Sequence, residues 1–275
     1  MSTNGQSRSA SKKLVESALM VAIAIILSLI KLVDLPYGGS VTIGCMLPVI
    51  IIAYRNGWKW GLLTGFVFGV AQQLLGINVL SFVTTWQSIL AVILLDYIAA
   101  FTITGLGGLF RNRLSQPAAL LSGTLFVCAL RYVCHVISGA TVWAGLSIPT
   151  QAALLFSFGY NATYMIPETI VTAVLAYYIG TVIDFGSDQI TTFRRDRADK
   201  GRIMQWIGGL LLAAAAILDA LFVFSRLQNG ETGEFDITGL SQVNWPLVGI
   251  VTVAGILLFL ILHFMAGKKQ GEQKA

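Results

Sequence analysis

Val83-Thr-Thr-Trp-Gln-Ser-Ile-Leu-Ala-Val-Ile-Leu-Leu-Asp-Tyr-Ile-Ala-Ala-Phe-Thr-Ile-Thr-Gly-Leu-Gly-Gly-Leu-Phe110 is a 28-residue stretch with one charged side chain, Asp96. A hydrocarbon core about 30 Å thick is crossed by about 20 apolar residues in a helix. The stretch is therefore long enough to span a membrane, and it carries Asp96 near mid-depth. A lone carboxylate in lipid is strongly disfavoured, so Asp96 must face a protein interior, a partner or a ligand. Applied to the whole chain, the same ruler gives eight spans, at 14–34, 41–54, 59–76, 83–110, 118–138, 151–183, 203–225 and 246–266. The second is short, and the turn-rich Leu35-Pro-Tyr-Gly-Gly-Ser40 precedes it. Irregular backbone at membrane depth has to be buried in protein or line a cavity, which makes this loop, with Gly39, a candidate cavity rim.

Composition agrees with this reading. Of 275 residues, 56% are hydrophobic and 11% charged, against about 25% charged in an average soluble domain. So few charges cannot cover a soluble globule, and with a mean hydropathy of +0.77 collagen-like, coiled-coil, disordered and nucleic-acid-binding classes are excluded. The fold expected is an all-α polytopic membrane protein. A tail (1–13) precedes a six-helix body (14–185), then come a basic linker (186–202), a two-helix transmembrane hairpin (203–266) and a second tail (267–275). The basic N-terminus lacks a small-residue cleavage site, so the first apolar run reads as a retained span. Cys45, Cys128 and Cys134 all lie in apolar runs without a C-x-x-C pair and support neither a disulfide framework nor a metal site.

Cations sort by side. Fifteen of the 18 Lys and Arg residues fall at one set of loops and termini, only Lys31 and Arg226 fall at the other, and Arg131 lies inside a span. The Lys and Arg excess marks the cytoplasmic side, so both termini are expected there, as an even number of spans requires. The pI near 9.2 thus reports orientation and a lipid bilayer, not a nucleic-acid partner.

The polar groups inside spans are few. Asp96 can serve as counter-ion to a cationic ligand or pair internally with Arg131, which can instead extend to the interface. His135 shares a helical face with Arg131. Trp143 follows in an outer loop expected over 139–150, and Phe156, Tyr160, Asn161 and Tyr164 precede Pro167 and Glu168 on span six. Aromatic faces, an amide, an imidazole and a carboxylate suit a planar heteroaromatic cation, although the aromatics also fit an interfacial belt. Glu168, next to helix-disrupting Pro167, can bond freed backbone or line the cavity floor. Asp219 shows no evident partner, and His263 reads as structural. No phosphate-cradling loop and no catalytic motif is present, so an enzyme is not expected, nor a cofactor, and any ATP hydrolysis belongs to other chains. A proton-coupled secondary carrier using Asp96 and Glu168 is the main alternative.

Several pieces, in order, resemble the thiamine-specific substrate-binding (S) component of energy-coupling-factor transporters. They are Tyr37-Gly-Gly-Ser-Val41 with Met46-Leu-Pro48, Tyr54-Arg-Asn-Gly-Trp-Lys59, Leu95-Asp-Tyr97, Gly105-Leu-Gly-Gly-Leu-Phe110, Arg131-Tyr-Val-Cys-His-Val-Ile-Ser-Gly139 with Trp143, and Tyr160-Asn161. The resemblance covers about residues 12–185. It implies a six-helix S component that binds thiamine near the outer face and works with a membrane scaffold protein and two ATPase subunits. It implies a binding set of Asp96, Tyr97, His135, Trp143, Phe156 and Asn161, with Ala18 and Ala22 as a small-residue docking face toward the scaffold. Some relatives have Glu at the Asp96 position and a Trp near Gly39, so one stacking surface must come from elsewhere. A ligand related to one half of thiamine, a pyrimidine or thiazole precursor, is the variant of this reading. The C-terminal hairpin has no counterpart in the six-helix core and reads as an accessory pair.

Overall fold

The computed structural model describes residues 9–35, 38–145, 150–193, 200–227 and 237–272. Helix α1, Ala10–Leu29, starts where the Ser9 side chain accepts the Lys12 backbone N–H, a hydrogen-bonded N-cap. The helix stops short of the expected span end at residue 34. Its last residues are instead strand β1, Lys31–Asp34, paired antiparallel with β2, Ser40–Thr42. This hairpin folds back over the end of the bundle.

Helix α2, Leu47–Asn56, has ten residues, about 15 Å at 1.5 Å per residue, and cannot cross a bilayer alone. Of the expected span at 41–54, residues 41–46 are strand and turn, and irregular backbone at that depth is tolerated because protein surrounds it. From Leu47 to Ala53 every residue of α2 is buried, as expected for a helix that is apolar all round. Gly57, with φ +93°, makes the turn into α3, Trp58–Leu75. A side chain is strained at that φ.

Helix α4, Trp86–Gly108, is the stretch that decided the fold, and it is not uniform. It begins as α-helix, widens to a π-helical segment over Val92–Ala99, and narrows to 3₁₀ over Thr104–Gly108. π-segments interrupt the regular backbone ladder and recur at functional sites; this one carries Asp96 and Tyr97. Contact with α3 is close, because β-carbons at Gly61 and Gly65 would stand 2.6 Å from the carbonyl oxygens of Gly105 and Phe101. Small residues allow two membrane helices this approach.

Helices α5, Gln116–Gly145, and α6, Thr150–Val182, are the two longest and pack side by side. The expected outer loop at 139–150 is largely helical, since α5 runs on to Gly145, so Trp143 sits on a helix. At the other end the Gln116 amide donates to the carbonyls of Gly180 and Ile183 and accepts from Phe185 N–H. Helices α7, Lys200–Leu227, and α8, Trp245–Glu272, form the hairpin. Helix α7 lies on α6, where a β-carbon at Gly209 would meet Tyr178 at 2.3 Å, and Trp206 lies 5.3 Å from the Tyr178 ring. Thr252 of α8 donates to Asp219 of α7 at 2.6 Å, supplying the partner that the sequence did not reveal. Only 6% of the apolar stretch of α8 is buried.

Five described helices, α4 to α8, are long and apolar enough to cross a membrane. Several such helices in one chain make it a multi-pass membrane protein. Helix α1 and α3, at 20 and 18 residues, have the length but carry charges at their starts. At the basic end of the bundle, Arg55 is fully buried at its side chain and pairs with Glu16 at 2.9 Å. It also donates to the carbonyls of Phe185, Ser187 and Asp188, tying α1, α2 and the segment after β3, Ile183–Asp184, into one clamp.

Candidate ligand-binding site

A cavity of about 280 Å³ lies beneath the β1–β2 hairpin. Among its lining residues are Asp96 and Tyr97 from α4, Arg131 and His135 from α5, and Tyr160, Asn161, Tyr164 and Glu168 from α6. Gly38 and Gly39 of the hairpin form its roof, and Ser28 of α1 and Gln72 and Gly76 at the end of α3 border it.

Asp96 is held from one side. His135 Nδ1 stands 2.9 Å from Oδ1, and Ser138 Oγ donates to Oδ2 at 2.9 Å. Both donors sit on one face of α5, three residues apart. The Asp96 side chain keeps 24% of its surface, which faces the cavity. Arg131 is not its direct partner and does not extend to the interface: the residue is 6% exposed, and Nη2 lies 3.5 Å from His135 Nε2. His135 therefore stands between the two charges.

The three tyrosines offer rings, since protein acceptors already hold their hydroxyls. Tyr97 Oη donates to Gly76 O at 3.1 Å, Tyr160 Oη to Gly38 O at 2.6 Å, and Tyr164 Oη to Asn161 Oδ1 at 2.6 Å. Asn161 Nδ2 donates to Ser157 O, Ser157 Oγ and His135 O, so its amide fixes the wall and its neighbour's ring. Gly39 has φ +89°, and a β-carbon there would come within 2.5 Å of Cε1 of Tyr164. The missing side chain lets the Tyr164 ring lie directly under the roof, where it provides a stacking surface.

Glu168 is 3% exposed. Its two oxygens accept from Thr42 N–H and Thr42 Oγ1, and Thr42 Oγ1 accepts from Cys45 N–H. The carboxylate thus fastens α6, just after Pro167, to the strand that roofs the cavity. Phe156 packs in the apolar cluster with Val33, Leu35, Val41 and Tyr160 and is not among the described lining residues. The side chain of Trp143 lies outside the described residues. Ala18 and Ala22 are exposed on the outer face of α1, away from the cavity. Among the described residues no group of three His, Cys, Asp or Glu side chains is placed to hold a metal ion.

Sequence reasoning missed Ser138, Thr42, Gln72 and Ser28. Ser138 was legible from its spacing to His135. Gln72, which donates to Ser28 Oγ at 2.7 Å, was marked by two adjacent amides, Gln72 and Gln73, in an otherwise apolar helix. Nothing in the sequence signalled Thr42.

A helical bundle whose membrane-spanning body encloses a roofed cavity, lined by a carboxylate, an imidazole, a guanidinium and three tyrosine rings, has the form of a membrane protein that binds a small ligand. The comparison with known proteins names the kind: the chain belongs to the family described as Thiamine transporter protein (Thia_YuaJ), whose model matches residues 14–184. It is 33% identical over 175 residues to the thiamine transporter ThiT of Bacillus subtilis (strain 168), an alignment covering 59% of this chain and 87% of that protein. ThiT of Lacticaseibacillus paracasei is 24% identical over 186 residues, covering 62% and 87% of the two chains. The solved structure of ThiT from Listeria monocytogenes shares the fold, with a TM-score of 0.50 at 21% identity over 61% of this chain and 92% of that one. The family match ends at residue 184, so the α7–α8 hairpin lies beyond it. The function is transport and not catalysis.

Proposed function

We propose that the chain is a thiamine-binding S component. It captures thiamine at the outer face of the cell membrane and passes it inward when coupled to a membrane scaffold protein and two ATPase subunits. The observation that carries the reading is Asp96, a carboxylate in the membrane-spanning body with two donors on one side and a cavity on the other. Asp96, the acid whose free surface faces the cavity, supports a cation there. A thiazolium supplies that charge, and the rings of Tyr97, Tyr160 and Tyr164 offer faces for its aromatic system.

Asp96, Tyr97, His135, Trp143, Phe156 and Asn161 form the proposed binding set, with Gly39, Tyr160, Tyr164 and Glu168 around it. Both termini are assigned to the cytoplasm on the distribution of Lys and Arg. Ala18 and Ala22, exposed on α1, are the proposed scaffold-docking face, where small side chains permit close helix approach. The α7–α8 hairpin is assigned as an accessory unit, joined to the body through the basic linker. A self-contained proton-coupled carrier is less well supported, because both Glu168 oxygens are engaged by Thr42.

Purified protein titrated with thiamine should show saturable quenching of Trp fluorescence. The isolated pyrimidine and thiazole halves should compete only weakly. Affinity purification from the native host should bring down a scaffold protein and two ATPases, and Ala18→Leu with Ala22→Leu should lose them while keeping ligand binding. Uptake of thiamine by the chain alone in proteoliposomes under a proton gradient would refute the proposal in favour of the carrier.

A further inference from the structure

Arg131 lines the cavity, yet the binding chemistry above gives it no role beyond its charge. It is 6% exposed, its Nε has no hydrogen-bond partner among the described residues, and its guanidinium carbon lies 4.5 Å from the Phe101 ring centroid. Nη1 meets the sulfur of Met46. The polar group it addresses is His135, with Nη2 3.5 Å from Nε2.

A guanidinium has donors and no acceptor. Nε2 of His135 must therefore turn its lone pair to Arg131, and the ring hydrogen belongs on Nδ1. That nitrogen stands 2.9 Å from Asp96 Oδ1, an acceptor. The line Arg131 to His135 to Asp96 thus has one direction of donation throughout, and Arg131 occupies the position where a second imidazole proton would sit. The other groups facing the ring are Tyr164 from α6, with centroids 6.1 Å apart, whose hydroxyl is donated to Asn161, and the Asn161 amide, which donates to the His135 carbonyl. Ser138 of α5 and Asp96 of α4 complete the set, while Glu168 of α6 lines the same cavity with its oxygens held by Thr42.

We propose that Arg131 is a positioning residue for ligand binding: it holds the ring hydrogen of His135 on Nδ1, so that the imidazole donates to Asp96 and keeps the carboxylate set toward the cationic ligand. Without Arg131 nothing holds the lone pair of Nε2, and the other tautomer turns a bare Nδ1 to Asp96 and releases the carboxylate. The proposal rests on the reading of Asp96 as the ligand's counter-ion.

The chain has two histidines, so histidine ¹⁵N NMR on the full-length protein in nanodiscs is readily assigned, with His263→Gln removing the second set of signals. At neutral pH wild-type His135 should show a protonated Nδ1 and a bare Nε2, the pattern set by a donor at one nitrogen and an acceptor at the other. In Arg131→Met the Nε2–H tautomer should appear, and thiamine affinity should fall about fivefold, the size of one hydrogen bond lost at Asp96. Arg131→Lys, which keeps a donor, should restore the wild-type pattern. A wild-type Nε2–H tautomer overturns the proposal, and it can be read even if the Met variant does not fold. An Arg131→Met protein with unchanged spectra and flat affinity overturns it too. If the wild-type protein shows the expected tautomer but binds no thiamine, the ligand assignment fails and the lock on His135 stands.

Discussion

Replacing Asp96 by Asn removes a charge and keeps the shape. At about 4 Å from a ligand cation and an effective dielectric of about 20, the lost attraction is about 4 kcal/mol. The Asp96 side chain keeps 24% of its surface, so water in the cavity screens part of this, and about 2–4 kcal/mol is the working range. His135 Nδ1–H can still donate to the amide oxygen, and Ser138 can turn to accept from the amide nitrogen, so the hydrogen-bond cost is about 1 kcal/mol or less. Thiamine affinity should therefore fall by about 30-fold to about 1000-fold. Isothermal titration with thiamine measures the total loss, and titration with a neutral thiophene isostere isolates the electrostatic part. The isostere should lose less than about fivefold, the size of one neutral hydrogen bond. Equal losses for both ligands would mean that Asp96 acts by holding α5 and not by its charge, and no loss for thiamine would place the cation elsewhere.

Gly39→Ala puts a β-carbon within 2.5 Å of Tyr164 at a φ of +89°; titration should show weaker thiamine binding while circular dichroism retains the native helical content. Arg55→Met leaves Glu16 unpaired beside three freed carbonyls, and thermal unfolding in detergent should show a loss of about 3–5 kcal/mol, the usual cost of breaking a buried pair. A chain ending after residue 199 should still bind thiamine, with a lower melting temperature because Gly209 and Trp206 no longer cover Tyr178; loss of binding would make the hairpin part of the binding unit.

The helices were legible where a long apolar run coincides with one helix, as in α4, α7 and α8. They were misjudged where the chain does two things within one hydrophobic run. The segment 41–54 reads as one short span, yet Val41 and Thr42 pair with β1 and only Leu47 onward is helical. β-branched residues suit both states, and hydropathy does not distinguish a buried strand from a buried helix. Asp96 and His135 were each legible as scarce groups inside spans, but the internal partner weighed for Asp96 was Arg131, and the contact with His135 follows from the packing of α4 against α5. That His135 separates Asp96 from Arg131 was not legible, since both partners lie within reach of one helix face. Glu168 was marked by Pro167, whereas its partner Thr42 lies 126 positions away and carries no local sign.

Helix α7 covers the back of α6, and Ala213 joins Val33, Leu35 and Tyr164 in one apolar cluster. Along this side the cavity has a wall two helices thick, and its inner layer borders protein instead of lipid. Changes in bilayer thickness or composition then reach the chamber through α7 before they reach α6. The roof over Gly38 and Gly39, a single hairpin layer held by Tyr160 and Glu168, is the compliant boundary. Ligand exchange rates should accordingly follow the strength of those roof contacts and vary little with the surrounding lipid.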